Sequence, residues 1–416
     1  MQLEREIWIA TGLRTPFAKA GQQLAQYDSL YLSREVLNEM HKKESINPDY
    51  VIWGTVIQNV KYSNIAREAV MDSMLDEKTI SFTTILACSS SLVAAIQAAS
   101  MITNHEIAIA GGVESPSNLQ VAVNAKFSAW LKKWSTAKSF FAKLKLLGGI
   151  FSFGIDYVPR VNRSTGKSMG QHAQITDYRL HISKQKQDEL AVDSHRKYFA
   201  AKEKGFYDDL VFPVNNIKED KIPRKNTSVQ SIAHLKPAFD IADKGTITAG
   251  NSSLYTDGAA GVWVAGKNAV GKLSTPYKAR LIDWEMAGVN IEEEGILMAP
   301  TFAIPRLLHR HGLKYDDIDI WEIHEAFASQ VLATIQNLED ATHLKKAGTD
   351  FSFGKFPMEK LNPNGSSIAI GHPFGATGAR ILSQTVKSLH LLGKGKKAVI
   401  SVCADGGLGA VVLIEN

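Results

Sequence analysis

The chain has 416 residues, of which 44% are hydrophobic and 21% charged, and its formal net charge is +5. That length exceeds one ordinary core and predicts two or three packed units, and the composition is that of a soluble globular protein with no run near the ~20 apolar residues of a membrane span. The mild basic excess suits an anionic ligand, but no zinc-finger, RNA-binding or basic-zipper pattern accompanies it, so no nucleic-acid partner is expected.

The opening MQLEREIWIATGLRTPF has neither the apolar core of a signal peptide nor the acid-poor composition of a transit peptide, so the expected location is cytoplasmic. Residues 5–10 and 51–57 read as strands, with a helix over 28–42 between them. Residues 92–103 read as an alanine-rich helix, and 106–110 as a buried strand ending at Gly111 and Gly112. Strands alternating with helices predict a mostly parallel sheet covered on both faces. Residues 120–160 are rich in Lys, Phe, Trp and Gly. A charged helix is expected over 183–206, and residues 207–246 read as short strand-like pieces between polar turns. The last third returns to the first pattern, with strands at 318–323, 397–402 and 409–414 and a helix at 376–391. Helix, buried strand and Gly-Gly turn thus occur in both halves, which suggests a weak internal duplication.

The chain has two cysteines, Cys88 and Cys403, too far apart in sequence for a CxxC motif and expected to be thiols in a reducing compartment. A buried cysteine is usually only a small hydrophobe, but Cys88 stands in TTILACSSSLVAAIQ, where an apolar strand enters and a helix leaves. That placement predicts a helix N-terminus and a lowered thiol pKa. His372 lies in the glycine-rich loop NGSSIAIGHPFGATGAR, whose spacing fits neither GxGxxG nor a Walker loop. His324 follows a strand in IWEIHEAFASQ, and Cys403 ends one in VISVCADGGLG. These are four strand ends, each with a thiol or an imidazole. A nucleophilic thiol needs a base, which imidazole supplies near neutral pH, and a second thiol can give and take a proton.

CSSSLVAA, GGVES, NSSLYTDGAAGVWV, HEAFA, GHPFGATGAR and CADGGLG occur in the order found in thiolases, from RTPFAKAG to the last strand. The chain resembles most the thiolase (β) subunits of fatty-acid oxidation complexes, through HEAFA, the SMG at 168–170 and the basic insert at 126–145. The resemblance implies an α/β thiolase fold: two duplicated βαβαβαββ halves (1–119 with 247–277, and 278–416) giving a five-layered α-β-α-β-α core, with a loop domain inserted at 120–246. It implies 3-ketoacyl-CoA thiolysis through a Cys88 acyl-enzyme, with coenzyme A as substrate and neither metal nor bound cofactor. His372 would be the base, Cys403 the second acid–base thiol, and His324 an oxyanion donor. The backbone N–H groups of Cys88 and Asp405 would form a second oxyanion hole. Ser253, Met169 and Phe327 would line the CoA arm's path. A homodimer or dimer of dimers is implied, with a multifunctional α-subunit or a membrane surface met through residues 126–145.

Three residues depart from the family pattern. Asp405 stands where relatives have Gly or Ala, Gln174 where many have Glu, and Ser366 where the second Gly of NxxGG is usual. A carboxylate ~5 Å from an oxyanion would cost roughly 3 kcal/mol at an effective dielectric of 20. Two other readings of the chain are an acetyl-CoA acetyltransferase run in the condensing direction and a non-catalytic assembly subunit, the latter supported only by Asp405. A ketoacyl synthase would need a second His where Cys403 stands, and a dehydrogenase would need a dinucleotide fingerprint.

Overall fold

The computed structural model describes residues 5–156, 161–240 and 244–416. The chain divides into a large unit, residues 1–118 with 169–416, and a small one, residues 119–168.

The first part of the large unit contains β1 (Ile7–Ala10), β2 (Ala18–Lys19), α1 (Ser29–Glu44), β3 (Tyr50–Gly54), α2 (Ile65–Met71), β4 (Ile80–Thr84), α3 (Ser90–Met101) and β5 (Ile107–Glu114). The small unit contains β6 (Ala122–Val123), α4 (Ala125–Thr136), α5 (Phe140–Leu146) and β7 (Ile155–Asp156). The large unit resumes with α6 (Met169–Leu180), α7 (Lys184–Glu203), α8 (Val229–Ala233), β8 (Thr256–Gly266), β9 (Lys278–Gly288), α9 (Ile291–Glu294) and α10 (Pro300–Arg310). It closes with β10 (Ile320–Ile323), α11 (Ala328–Glu339), α12 (Ala341–Lys346), α13 (Ser367–Ile370), α14 (Thr377–Leu392), β11 (Lys397–Ala404) and β12 (Leu408–Glu415).

The main sheet runs β10-β11-β12-β9-β1-β8-β5-β3-β4, with β2 on the end of β8. Its order mirrors itself about the β1–β9 pair. On one side β1 is antiparallel to β8, β8 to β5, and β5 is parallel to β3. On the other β9 is antiparallel to β12, β12 to β11, and β11 is parallel to β10. This mirrored order is the duplication, and the antiparallel β1–β9 pairing joins the halves into one sheet.

The sheet is mixed and not the mostly parallel one expected: among the described strands only β3–β4, β3–β5 and β10–β11 pair in parallel, because β8 and β12 each run opposite to both of their neighbours and β1 runs opposite to β9. Two further details differ from the sequence reading. Gly111 and Gly112 do not end a strand but lie inside β5, because a side chain there would strike a neighbour: a Cβ on Gly112 would sit 2.1 Å from the Gly375 carbonyl oxygen. The other pair, Gly406 and Gly407, does make the turn between β11 and β12, at φ +89° and +74°, where a glycine is cheap. The glycine pairs are therefore not equivalent. In addition, the described residues of 207–246 form no strand of the sheet, only α8 and isolated bridges. That stretch is tied down by polar anchors, notably the buried Arg14–Asp220 pair at 2.6 and 2.7 Å.

Side chains along the central strands alternate between cores. Ala260, Val262 and Val264 of β8 and Ala410, Val412 and Ile414 of β12 face one cluster shared with α3 and α14. Ala259, Trp263 and Ala265 face α1 and α2. Val411 and Leu413 face α10 and α11. The result is helix, sheet, helix, sheet, helix, with α3 and α14 as the middle layer.

These two helices cross closely. A Cβ on Gly378 would lie 2.4 Å from Leu92 N, and Ala379 N donates to Ser91 Oγ at 2.9 Å. Gly378→Ala is expected to push the helices apart and to destabilise the fold by about 1–3 kcal/mol, as overpacking in a filled core does. A chemical-denaturation series beside the wild type would measure the loss.

Candidate active site

Cys88 lies between β4 and α3. Ala87, just before it, has φ +44°, a left-handed conformation that a β-carbon makes costly and that is held only because its neighbours over-determine it. The three serines that follow hold it. Ser90 Oγ accepts from Leu86 N at 2.8 Å and donates to the Ala87 carbonyl at 2.7 Å, closing the elbow on itself. Ser89 Oγ donates to the Val402 carbonyl at 2.8 Å, next to Cys403. Ser91 takes the bond from α14 described above. The three serines are thus three separate anchors: Ser90 closes the elbow, and Ser89 and Ser91 tie it to β11 and α14.

His372 arrives from the other half. Gly371 has φ +106°, and a Cβ there would lie 2.7 Å from Thr256 Cγ2. The next residue's N–H donates to the Leu254 carbonyl at 3.2 Å. Glu114, fully buried at the end of β5, holds the same loop: it accepts from Gly375 N at 3.1 Å, from Val56 N and Ile57 N, and from Thr55 Oγ1. Burial raises its pKa to about 7 against those donors.

The outcome is a thiol–imidazole pair, with His372 Nε2 3.1 Å from Cys88 Sγ. Which nitrogen carries the proton follows from the other side of the ring. His372 Nδ1 is 2.7 Å from Thr377 Oγ1, and that hydroxyl donates its own hydrogen to the Pro373 carbonyl at 2.9 Å. Thr377 therefore accepts, Nδ1 carries the proton, and Nε2 offers its lone pair to the thiol. Thr377 was absent from the sequence-based candidates. Its signal was a hydroxyl in GATGAR, five residues after the histidine.

The expected lowering of the Cys88 pKa is not what the structure shows. The cysteine precedes the Ser89 N-cap rather than occupying the first helical turn. Burial pushes its thiol well above the ordinary range, and the nearby Cys403, Asp405 and Glu114 add to the effect. Burial, then Arg380, lowers His372 to about 3. At rest this is a neutral thiol beside a neutral imidazole, not an ion pair.

The remaining candidates surround the pair. His324 follows β10 and is fully buried, its ring centroid 4.2 Å from that of His372. Its Nδ1 meets Ser367 Oγ at 2.8 Å, while its Nε2 has no hydrogen-bond partner. Burial, then His372 and Arg380, holds its pKa well below the usual value. Its neighbour Glu325 accepts from Ser194 Oγ, Asn362 Nδ2 and Ile368 N, which fixes the HEAFA turn. Cys88, His324 and His372 each present a metal-ligating type of atom within 4.8 Å of the others. The Cys88–His372 hydrogen bond already occupies two of those atoms.

Cys403 is 1% exposed near the end of β11, in an apolar cluster with Ala326 and Phe327 against which Met169 and Phe239 pack. Burial raises its thiol to about 12. Asp405 opens the β11–β12 turn, and its carboxylate is near enough to oppose a thiolate at Cys88. Segment 251–255 runs between the HEAFA turn and the His372 loop, forming bridges Ser252–Phe327 and Tyr255–His372. Ser253 is half-buried there and donates from N and Oγ to the Ala326 carbonyl, both at 3.0 Å. The structure thus gathers Cys88, His372 and His324 tightly, with Cys403, Met169 and Phe327 in one adjoining apolar wall.

Two departures from the family pattern have local explanations. Gln174 accepts from Thr246 N and Ile247 N and donates to Asp177 Oδ2 at 2.8 Å, a donation that a Glu carboxylate could not make. Ser366 has φ −136°, which any residue adopts, and its N–H donates to Ser194 Oγ.

Thr377→Val keeps the side-chain shape but removes the acceptor that orients His372. It should slow alkylation of Cys88 by iodoacetamide roughly 10–100-fold, the usual weight of a partner that sets a histidine's tautomer. Thr377→Ser should restore the rate. Timed mass spectrometry of the alkylated protein reads both.

The chain has relatives among known proteins. The family model described as "Thiolase, N-terminal domain" matches residues 7–268, and "Thiolase, C-terminal domain" matches residues 275–416. The chain is 35% identical over 421 aligned positions to a protein of Vibrio cholerae named 3-ketoacyl-CoA thiolase, covering 98% of this chain and 96% of that protein. It is 33% identical to the mitochondrial trifunctional enzyme subunit beta of Bos taurus, covering 99% and 88%. A crystal structure of human mitochondrial 3-ketoacyl-CoA thiolase in complex with CoA superposes with a TM-score of 0.82 at 27% identity, over 100% of this chain and 99% of that one. With both domain models matched and the relatives aligned almost end to end, the chain belongs to the thiolase family of acyltransferases.

Proposed function

We propose that the chain is a 3-ketoacyl-CoA thiolase that cleaves 3-ketoacyl-CoA with CoA, the step of fatty-acid β-oxidation that releases acetyl-CoA. The observation that carries this reading is the 3.1 Å approach of His372 Nε2 to Cys88 Sγ, with the imidazole's Nδ1–H donating to Thr377 Oγ1.

In the forward direction Cys88 attacks the 3-keto carbon and its proton passes to His372. Because burial disfavours both the thiolate and the imidazolium, proton transfer accompanies attack, when the oxyanion that forms nearby stabilises the new cation. His324 offers a neutral N–H to that oxyanion. The bond between C2 and C3 breaks, leaving the acyl group on Cys88 and acetyl-CoA as its enolate, which takes a proton from Cys403. A second CoA then gives its thiol proton to Cys403 and attacks the acyl-enzyme, and the backbone N–H groups of Cys88 and Asp405 hold the thioester oxyanion; its collapse breaks the bond to Cys88, whose departing thiolate takes back the proton held by His372. A thiol pushed to about 12 by burial suits Cys403 to both tasks: it stays protonated until a strong base such as an enolate arrives. Ser253, Met169 and Phe327 line the approach of the CoA arm. The relatives named 3-ketoacyl-CoA thiolase support the degradative direction over acetyl-CoA condensation.

Brief exposure to acetyl-CoA should add one acetyl group to Cys88, discharged by free CoA and absent in Cys88→Ser. Mass spectrometry of the intact protein reads this, and an unmodified, folded wild type would overturn the proposal. The pH dependence of acylation tests the base. With His372 at about 3 and Cys88 well above neutrality, neither partner changes charge between roughly pH 5 and 8, so the wild-type rate should vary little there. His372→Asn should lose about 10²–10⁴-fold and then rise roughly tenfold per pH unit, because the thiolate must form unaided.

The small unit supports a docking role. Trp130 stacks on Phe127 and donates to the Leu146 carbonyl, yet none of the unit's described residues is fully buried. Phe140, Phe141 and Phe151 are 75%, 74% and 90% exposed, and six lysines stand among these apolar residues. An apolar surface framed by cations fits a membrane surface or a partner subunit, and the trifunctional relative is itself named as a subunit. The expected place of action is cytoplasmic, at a surface; no helix among the described residues is long and apolar enough to cross a membrane. Deleting residues 128–147 should weaken association in vesicle or α-subunit pull-downs and leave short-chain thiolysis intact. Equal loss of both would count against docking.

A further inference from the structure

Behind the thiol–imidazole pair lies a second chain of buried polar groups. Ser367, fully buried at the start of α13, stands between His324 Nδ1 at 2.8 Å and Arg380 Nη2 at 2.7 Å. Arg380 is 2% exposed on α14 and also reaches Ser366 Oγ at 3.4 Å. A guanidinium has only donors, so Ser367 accepts from Arg380. The serine keeps one hydrogen, and the acceptor within its reach is His324 Nδ1.

The reverse arrangement, with Nδ1–H donating to Ser367, would orphan the serine's own proton and leave a bare lone pair at the buried Nε2. That makes two unsatisfied groups where the first arrangement leaves one. The guanidinium favours the first arrangement further, because donation to Oγ polarises the hydroxyl and strengthens it as a donor. The single group left over is then an N–H at His324 Nε2, on a ring packed against His372.

We propose that Ser367, gripped by Arg380, is a positioning residue that holds His324 in the Nε2–H tautomer, so that a neutral imidazole presents a hydrogen to the oxyanion beside Cys88. This rests on the reading of His324 as an oxyanion donor. Without the Ser367 hydroxyl, His324 can move its proton to Nδ1 and face the oxyanion with a lone pair, which repels it.

The test combines kinetics with a direct view of the tautomer. Ser367→Ala should lower the kcat of thiolysis about 10–100-fold with KM within about twofold, less than the roughly 10²–10³-fold expected for removing the donor in His324→Ala. Ser367→Thr, which keeps the hydroxyl, should recover most of the rate. In the His324→Ala background, Ser367→Ala should cost nothing more. The ¹⁵N spectrum of histidine-labelled wild type, assigned by the signal lost in His324→Ala, should show His324 protonated at Nε2. Protonation at Nδ1 overturns the proposal, even if Ser367→Ala does not fold. So does an impaired His324→Ala beside a fully active Ser367→Ala, or losses that multiply in the double variant; in those cases the oxyanion reading stands. Wild-type kcat in His324→Ala would instead remove the oxyanion reading and this inference with it.

Discussion

The two helices of the middle layer begin side by side, and the site exists because of that packing. Cys88 lies two residues before α3 and His372 five before α14. The backbone of Leu92 can approach α14 only because residue 378 lacks a side chain. The bond from Ala379 to Ser91 sets the helices' relative height at this end. Residues 284 positions apart in sequence are thereby brought to 3.1 Å by an interface of small residues. A side chain larger than glycine at the crossing would be felt directly at the thiol.

The same packing decides the electrostatics. The site lies deep in the middle layer, so burial is the first cause of every strong shift there: Cys88 and Cys403 upward, His324 and His372 downward. Helix N-termini favour a thiolate, but that contribution is typically below ~2 kcal/mol, whereas full desolvation moves a group by up to 3–5 units. Burial therefore wins, and the resting site carries no charge on its thiols or imidazoles. Charge appears only during reaction, where fixed donors can stabilise it at no reorganisation cost. The hydroxyls of Thr377 and Ser367 matter for that reason: in an uncharged site, what each imidazole does depends on where its proton sits.

The small unit follows other physics. The large unit buries whole strands and aromatic side chains such as Trp53, Trp263 and Trp321. The small unit is knit by a few aromatic contacts among Phe127, Trp130, Trp134 and Phe153 and leaves Phe140, Phe141 and Phe151 in solvent. One part buries its large apolar side chains, and the other leaves several of its own exposed.

Much of this was legible in the sequence because it is local. Short apolar runs marked the strands, the alanine-rich and GATGAR segments marked α3 and α14, and the ordered motifs around Cys88, His324, His372 and Cys403 marked the chemistry. The sequence also showed the interleaved lysines and aromatics of the insert. The decisive remainder is not local. That Gly111 and Gly112 run through a strand, while Gly406 and Gly407 turn, depends on what each would strike across the fold. The high thiol pKa at Cys88 comes from burial under both halves, which no flanking motif contains. The proton on His372 Nδ1 is set by where Thr377 sends its own hydrogen. Sequence by itself determined which groups were available; tertiary packing decided their solvation, their partners and their proton positions, because each of these depends on neighbours that only folding brings together.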